Sequence, residues 1–307
     1  MPIAIQRVAA SELDEYCRVA RDVFGDAPSP EILRQQDERA EASGALRDRY
    51  IAHGHGQTVA IGALASSPLI PAEAVDLRIG VQRAHRGGGI GAAMLARLET
   101  EAAQRGYRQL IASVRADDPQ SLEFAFRRGF EHQHDRHELE LDLRASESEV
   151  PTGPGNVSVA SLDQSPAGSD RTEVANTLAE LIALSPDTRD LPKWDQASIT
   201  SFLFENPSTR PEWIFLARDG HALVGMAVMT QIADRAYAFF TGVHPSAQRR
   251  GIARALKRAS ILAAKRDGFH RMFADNLSTN TAMLALNRSL GFQHRRAARI
   301  LQKTIGR

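Results

Sequence analysis

The chain has 307 residues, which at about 150 residues per domain predicts two domains, each long enough to bury its own core. Hydrophobic residues make up 43% and charged residues 24%, the usage of ordinary globular domains, and no apolar run approaches the ~20 residues of a membrane span. The 38 basic residues against 37 acidic ones leave a net charge of +1. No global field then gathers nucleic acid or an anionic membrane, and any anion site must be local.

The first residues, Met-Pro-Ile-Ala-Ile-Gln-Arg, lack the basic segment followed by an apolar stretch of a secretory signal, so the expected location is cytoplasmic. Cys17 is the only cysteine. It excludes an internal disulfide and a cysteine-based zinc site, and is expected in helix packing. His132, His134 and His137 lie too close along one segment to converge on one ion, so no metal is expected.

In chain order, an opening strand over Ile3 to Val8 leads into a helix from about Ser11, with Ser11 as the expected cap and Glu15 early in the run. A hairpin follows, with Tyr50 to Ala52 and Val59 to Ala65 flanking His-Gly-His-Gly-Gln. The strand Val75 to Val81 runs into a Gly/Arg loop, and Ile90 to Arg105 has helical apolar spacing up to Gly106. A strand over Gln109 to Val114, a helix ending at Gly129-Phe130 and the alternating strand Glu138 to Leu143 complete the half.

The same order then recurs. Val157 to Val159 opens the second half, Trp213 to Ala217 and Ala222 to Met229 form its hairpin, and Tyr237 to Val243 runs into its loop. Ile252 to Asp267 stops at Gly268, Met272 to Ala274 is a strand, and the last helix ends at Gly291-Phe292. Six pairs hold a constant offset of 162: Val81 and Val243, Gly89 and Gly251, Ile90 and Ile252, Gly106 and Gly268, Gly129 and Gly291, Phe130 and Phe292. One fold is therefore used twice. Between the copies, Arg144 to Asn156 is polar, holds two prolines and two glycines, and has no periodicity. The predicted division is 1–146, a linker at 147–156, and 157–307, each domain an α+β unit with a mixed sheet.

Each copy passes from strand to loop to long helix through small residues and side-chain donors. The loops read Val-Gln-Arg-Ala-His-Arg-Gly-Gly-Gly-Ile-Gly over 81–91 and Val-His-Pro-Ser-Ala-Gln-Arg-Arg-Gly-Ile-Ala over 243–253. A helix's first turn leaves N–H groups unpaired and carries partial positive charge, and glycine lets a phosphate come close, so a pyrophosphate fits. A Walker loop would need a lysine that neither copy has, and the G-x-G-x-x-A pattern at Gly87, Gly89 and Ala92 lacks the acidic ribose partner of a dinucleotide fold, since Tyr107 to Val114 offers none.

Arg86-x-x-Gly89-x-Gly91 and Gln248-x-x-Gly251-x-Ala253 resemble the Q/R-x-x-G-x-G/A signature of the GNAT superfamily of N-acetyltransferases. Asn280, Met283, Asn287 and Leu290-Gly291-Phe292 resemble the last helix of its tandem members, such as those of the mycothiol synthase kind. The resemblance implies two GNAT-like acyl-CoA N-acyltransferase domains, each with a mixed, mostly antiparallel sheet splayed between two parallel strands. It implies that the loops hold the acetyl-CoA pyrophosphate, through Arg86, Gly87, Gly88, Gly89, Ile90 and Gly91 in one copy and Gln248, Arg249, Arg250, Gly251, Ile252 and Ala253 in the other. The backbone N–H of Val81 or Val243 maps to the thioester donor, and Asn280, with Asn276 at the end of its strand, to pantetheine contacts.

The tyrosine that serves many members as acid, four residues before the final glycine, is replaced by Ala125 and Asn287, which have no proton to give at neutral pH. Period-2 alternation puts Tyr237, Phe239, Thr241 and Val243 on one face, against Val75, Ile79 and other apolar residues in the first copy. Asp118 stands where the second copy has Asn280, and a carboxylate near CoA adds like charge. The second copy is thus the expected catalytic one, with Tyr237 and Thr241 as candidates for proton positioning. The implied partners are acetyl-CoA and a primary-amine acceptor, with no nucleic acid or membrane, the chain acting as monomer or homodimer. The rival reading is a non-catalytic CoA-binding protein with two degenerate copies.

Overall fold

The structure is a computed structural model, describing residues 3–25, 27–54, 56–67, 70–145, 153–165, 170–188, 194–206, 208–232 and 235–306. The linker stretch 146–152 lies outside the described residues. In the first half the elements are β1 (Ala4–Arg7), α1 (Leu13–Phe24), α2 (Pro30–Ser43), β2 (Arg47–Gly54), β3 (Gln57–Ala65), β4 (Ala74–Val81), α3 (Ile90–Gln104), β5 (Gln109–Arg115), α4 (Pro119–Phe126) and β6 (Glu131–Asp142). The second half has β7 (Val157–Ser161), α5 (Arg171–Leu184), α6 (Gln196–Phe204), β8 (Ile214–Asp219), β9 (Ala222–Ile232), β10 (Arg235–Val243), α7 (Ile252–Arg266), β11 (Arg271–Leu277), α8 (Thr281–Ser289) and β12 (Gln293–Thr304). No described helix is long and apolar enough to cross a membrane.

The chain forms two compact units, 1–133 with 299–307, and 134–298. The units do not follow the halves of the sequence. From His134 onward β6 belongs to unit 2, where it runs antiparallel to β11 from Arg271 opposite Asp142 to Leu277 opposite Arg136. Its alternation explains the attachment, since Leu139 and Leu141, with Leu143 just beyond, enter the core of unit 2. The end of the chain belongs to unit 1, where Leu301 and Ile305 join the core.

Each unit is a mixed sheet with helices on both faces. In unit 1, α3 covers one face with Met94 and Leu98 over Tyr50, Val75 and Leu77, and α1 covers the other with Tyr16, Cys17 and Val19 over Ile61. In unit 2, α7 covers one face with Leu256 over Ala227, Met229 and Ala236, while α5 and α6 cover the other with Leu178 and Ile199 over Val228 and Phe240. Cys17 is buried in helix packing as its solitary occurrence predicts. The start of α1 differs from the sequence reading. A short 3-10 turn at Ala10–Glu12 precedes the helix, and the Glu12 side chain, not Ser11, takes the Ala9 N–H at 2.8 Å.

Candidate active site

The two loops share one backbone design. Gly89 and Gly251 precede α3 and α7 at φ 82° and 85°, in the left-handed region, and no side chain caps either helix. The first-turn N–H groups are therefore left for a ligand. Two residues earlier the left-handed turn is made by Gly87 at φ 83° in unit 1 but by Arg249 at φ 61° in unit 2, where a side chain costs about 1 kcal/mol or more. The first motif residue is a brace. Arg86 Nε donates to the Val81 carbonyl at 3.1 Å and Gln248 Nε2 to the Val243 carbonyl at 3.0 Å.

The brace fixes the strand end. The Gln82 N–H donates to Val59 O on β3, and the His244 N–H to Val224 O on β9. Successive N–H groups of an extended strand point to opposite sides. The N–H groups of Val81 and Val243 therefore face away from the hairpin, towards the side of the parallel strand.

On that side the two units differ. β4 pairs with β5 over four positions, from Ala74 opposite Gln109 to Leu77 opposite Ala112. β10 pairs with β11 over only two, Ala236 opposite Met272 and Tyr237 opposite Phe273. Counted back from Val81 and Val243, the fork in unit 2 opens two residues earlier on this strand, but one of them is the extra residue of a bulge, so the opening lies one ladder step earlier, about 3 Å.

The walls differ as well. In unit 1, Leu95, Ala125 and Val114 belong to the apolar core or pack against it, and a Cβ on Gly91 would meet the Phe124 ring at 3.1 Å. Gly91 thus faces a packed ring. The places offset by 162 in unit 2 hold Lys257, Asn287 and Asn276, all buried. Asn287 Nδ2 donates to Asn276 Oδ1 at 2.8 Å, and Asn276 Nδ2 donates at 2.8 Å to Asp187, in the segment after α5. Asn280 caps α8 by accepting from the Met283 N–H at 3.2 Å and donates its Nδ2 to Asp187 at 2.9 Å. Its counterpart Asp118 caps α4 with both oxygens, on the Ser121 N–H and Oγ, and has no donor to offer.

A profile of the acetyltransferase (GNAT) family matches residues 12–130 and 177–292, more than half of the chain and once in each copy. The chain belongs to that family. It is an acyltransferase with two GNAT domains. Among curated proteins nothing matches. Among solved structures it is similar to a GCN5-related N-acetyltransferase from Sphaerobacter thermophilus, with a TM-score of 0.81 at 16% identity over 99% of this chain and 96% of that one. It is also similar to a tandem GNAT protein from the clavulanic acid biosynthesis pathway, with a TM-score of 0.73 at 19% identity over 100% and 99% of the two chains. At these identities the likeness is one of fold.

One expectation for this GNAT enzyme is corrected. Tyr237 does not share a face with Thr241 and Val243, because the ladder between β10 and β9 shifts between Ala238 and Phe240, leaving Phe239 as the extra residue of a bulge. Beyond it, Thr241 lies opposite Ala227 and Val243 opposite Gly225, on the α7 side. Before it, Tyr237 lies opposite Thr230, on the side of α5 and α6. β4 has no such shift against β3, and Val75, Leu77, Ile79 and Val81 stay on the α3 side.

The displaced Tyr237 donates its hydroxyl to Asp275 Oδ2 at 3.2 Å, beside the point where β10 and β11 part. Burial pushes Tyr237 well above the ordinary phenol range, and the Asp275 charge adds to the shift. Burial likewise raises the Asp275 carboxyl, against the pull of Arg136. The Thr241 hydroxyl donates to the Phe240 carbonyl at 2.9 Å.

Asp275, Asp187 and Lys257 escape sequence reasoning. Asp187 and Asp275 carry no spacing signal. Lys257 carries one, since the repeat aligns it with Leu95 and the apolar period of α7 places it among core residues.

Proposed function

We propose that this acyltransferase moves acetyl from acetyl-CoA to a primary amine and that the second copy carries the transfer. The observation behind this reading is the contrast of the copies: unit 2 opens earlier between β10 and β11 and buries Asn276, Asn287 and Lys257 at the places where unit 1 has Val114, Ala125 and Leu95. A thioester with its two pantetheine amides needs hydrogen-bond partners when taken from water, and an apolar wall supplies none.

In this reading the N–H groups from Arg249 to Ala253 hold the pyrophosphate, with Arg250 fixed by Asp219 at 2.7 Å. The Val243 N–H, aimed by the Gln248 brace, donates to the thioester oxygen and stabilises the negative charge that develops there. Thr241 stands on the same face as Val243. On the opposite face the amine donates to the Tyr237 oxygen while the Tyr237 hydroxyl donates to Asp275, whose carboxyl burial makes a better proton acceptor than an exposed one. Asn276 and Asn280 meet the cofactor once Asp187 yields or shares their amides. In the first copy the loop from Arg86 to Ile90 keeps its exposed glycines and holds CoA without turning it over.

The test is release of CoA thiol from acetyl-CoA in the presence of a panel of primary amines, with product masses read in parallel. Amine-dependent release with acetylated product supports the reading. Acetyl-CoA binding with no release across amines, amino acids and amino sugars refutes it.

A further inference from the structure

Lys257 is 3% exposed, the same as Leu95 at the matching place on α3. Its Nζ lies 5.6 Å from the centre of the Phe292 ring, and the Phe292 N–H donates to the Asn287 carbonyl at 3.1 Å. The lysine therefore sits beside the turn that carries Asn287, the place where the family resemblance implies a tyrosine acid.

The polar groups around it have a fixed sense. Asp187 accepts from Asn276 Nδ2, from Asn280 Nδ2 and, at 3.0 Å, from the Leu277 N–H. A carboxylate only accepts. Asn276 must then turn its oxygen to Asn287, and Asn287 is left with Oδ1 buried and unpartnered. This amide chain has an acceptor to present but no proton to deliver.

We propose that Lys257 delivers the proton to the departing thiolate in the second copy. The inference rests on the reading of the second copy as the acetylating one. The neutral acceptor amine forms the C–N bond with its lone pair, and the C–S bond breaks with its pair on sulfur. A proton passes from the Lys257 ammonium to sulfur, and the surplus proton of the new amide leaves through Tyr237 and Asp275. Solvent then reprotonates Lys257 and takes the proton from Asp275, so amine and thioester become amide and thiol.

Burial pushes Lys257 down to about 8, and Asp187 works against that shift. Around the cluster, the segment after α5 brings Asp187, β11 brings Asn276, α8 brings Asn287 and the turn between α8 and β12 brings Phe292. β6 brings His137, opposite Asn276 and edge-on to His294, while Asp275 belongs to the other face of β11. A buried lysine titrating near neutrality is a group found at proton-transfer sites.

The experiment compares acetyl-CoA with its selenoester analogue in the full chain, using the most active member of a primary-amine panel. A selenolate leaves without needing a proton. Lys257→Met should lose at least a hundredfold in kcat with acetyl-CoA and less than tenfold with the selenoester, with CoA affinity by calorimetry within threefold of wild type. Lys257→Arg, which keeps the charge but holds its proton, should show the same selectivity and covers the case in which Lys257→Met does not fold. Asp187→Asn should move the alkaline limb of kcat to lower pH, and Asp187→Glu should restore it. Equal losses with both donors, or a limb that does not move, would overturn the proposal. Retention of turnover by Gly251→Glu would instead overturn the reading of the second copy, whatever Lys257 does.

Discussion

The two GNAT copies carry the same loop backbone and opposite crevices. Their glycines at 89 and 251 agree within 3° in φ, and their first motif residues brace the same carbonyl. One residue type per position then separates them: Leu95 against Lys257, Val114 against Asn276, Ala125 against Asn287. The lesson is that the backbone of the two loops survives duplication with little change, because it is set by glycine placement and a side-chain brace, whereas the neighbouring core changes with each side chain that fills it.

The largest test of the comparison is a matched pair. Gly251→Glu and Gly89→Glu impose the same left-handed strain and the same negative charge at the two loops. We expect the first to reduce turnover more than a hundredfold and the second to leave most of it while lowering the Tm measured with CoA. Equal losses of turnover in folded variants would break the assignment to one copy.

A second test reads Lys257 through stability. Its folded-state pKa lies at about 8, below 10.5, so the fold favours the neutral amine. Stability contributed by this group therefore grows as pH rises from about 8 towards 10.5 and is absent below that window. Against Lys257→Met, wild type should gain about 3 kcal/mol between pH 7 and pH 10.5 in urea unfolding. A flat difference would show that the amine is not desolvated.

Third, the amide pair can be unmade in steps. Asn287→Ala removes the donor to Asn276 Oδ1 and should cost about 1–3 kcal/mol. Adding Asn276→Val, which copies unit 1, should recover part of that loss without recovering turnover. The reciprocal Ala125→Asn buries an amide against Val114 and should destabilise by a similar amount.

The smallest expected effect is at Arg249. Arg249→Gly, which copies Gly87, relieves a positive φ and should stabilise by about 1 kcal/mol in thermal unfolding. CoA affinity should fall less than tenfold, because the backbone donors remain.

Much of the fold is legible in the amino-acid order. The repeat, the two loops and the order of strands and helices follow from local rules of periodicity and glycine placement, and the family follows from the loop motif. What periodicity misplaces is the face of Tyr237. A bulge is one extra residue in a ladder, set by how β10 pairs with β9, and the sequence of a single strand does not count its partner. Asp187 escapes for the same kind of reason, since its contacts lie 89 to 93 residues away along the chain.

The sequence by itself determined that one fold occurs twice, where each copy places a glycine loop before a long helix, and which positions differ in polarity between copies. Only the tertiary structure decided which strand completes which unit, where the fork opens, and that Asp187 and the three asparagines meet. Period and propensity act over a few residues, whereas a crevice is built by groups brought together from distant segments. Their hydrogen bonds are specified by the closed fold and by no local pattern.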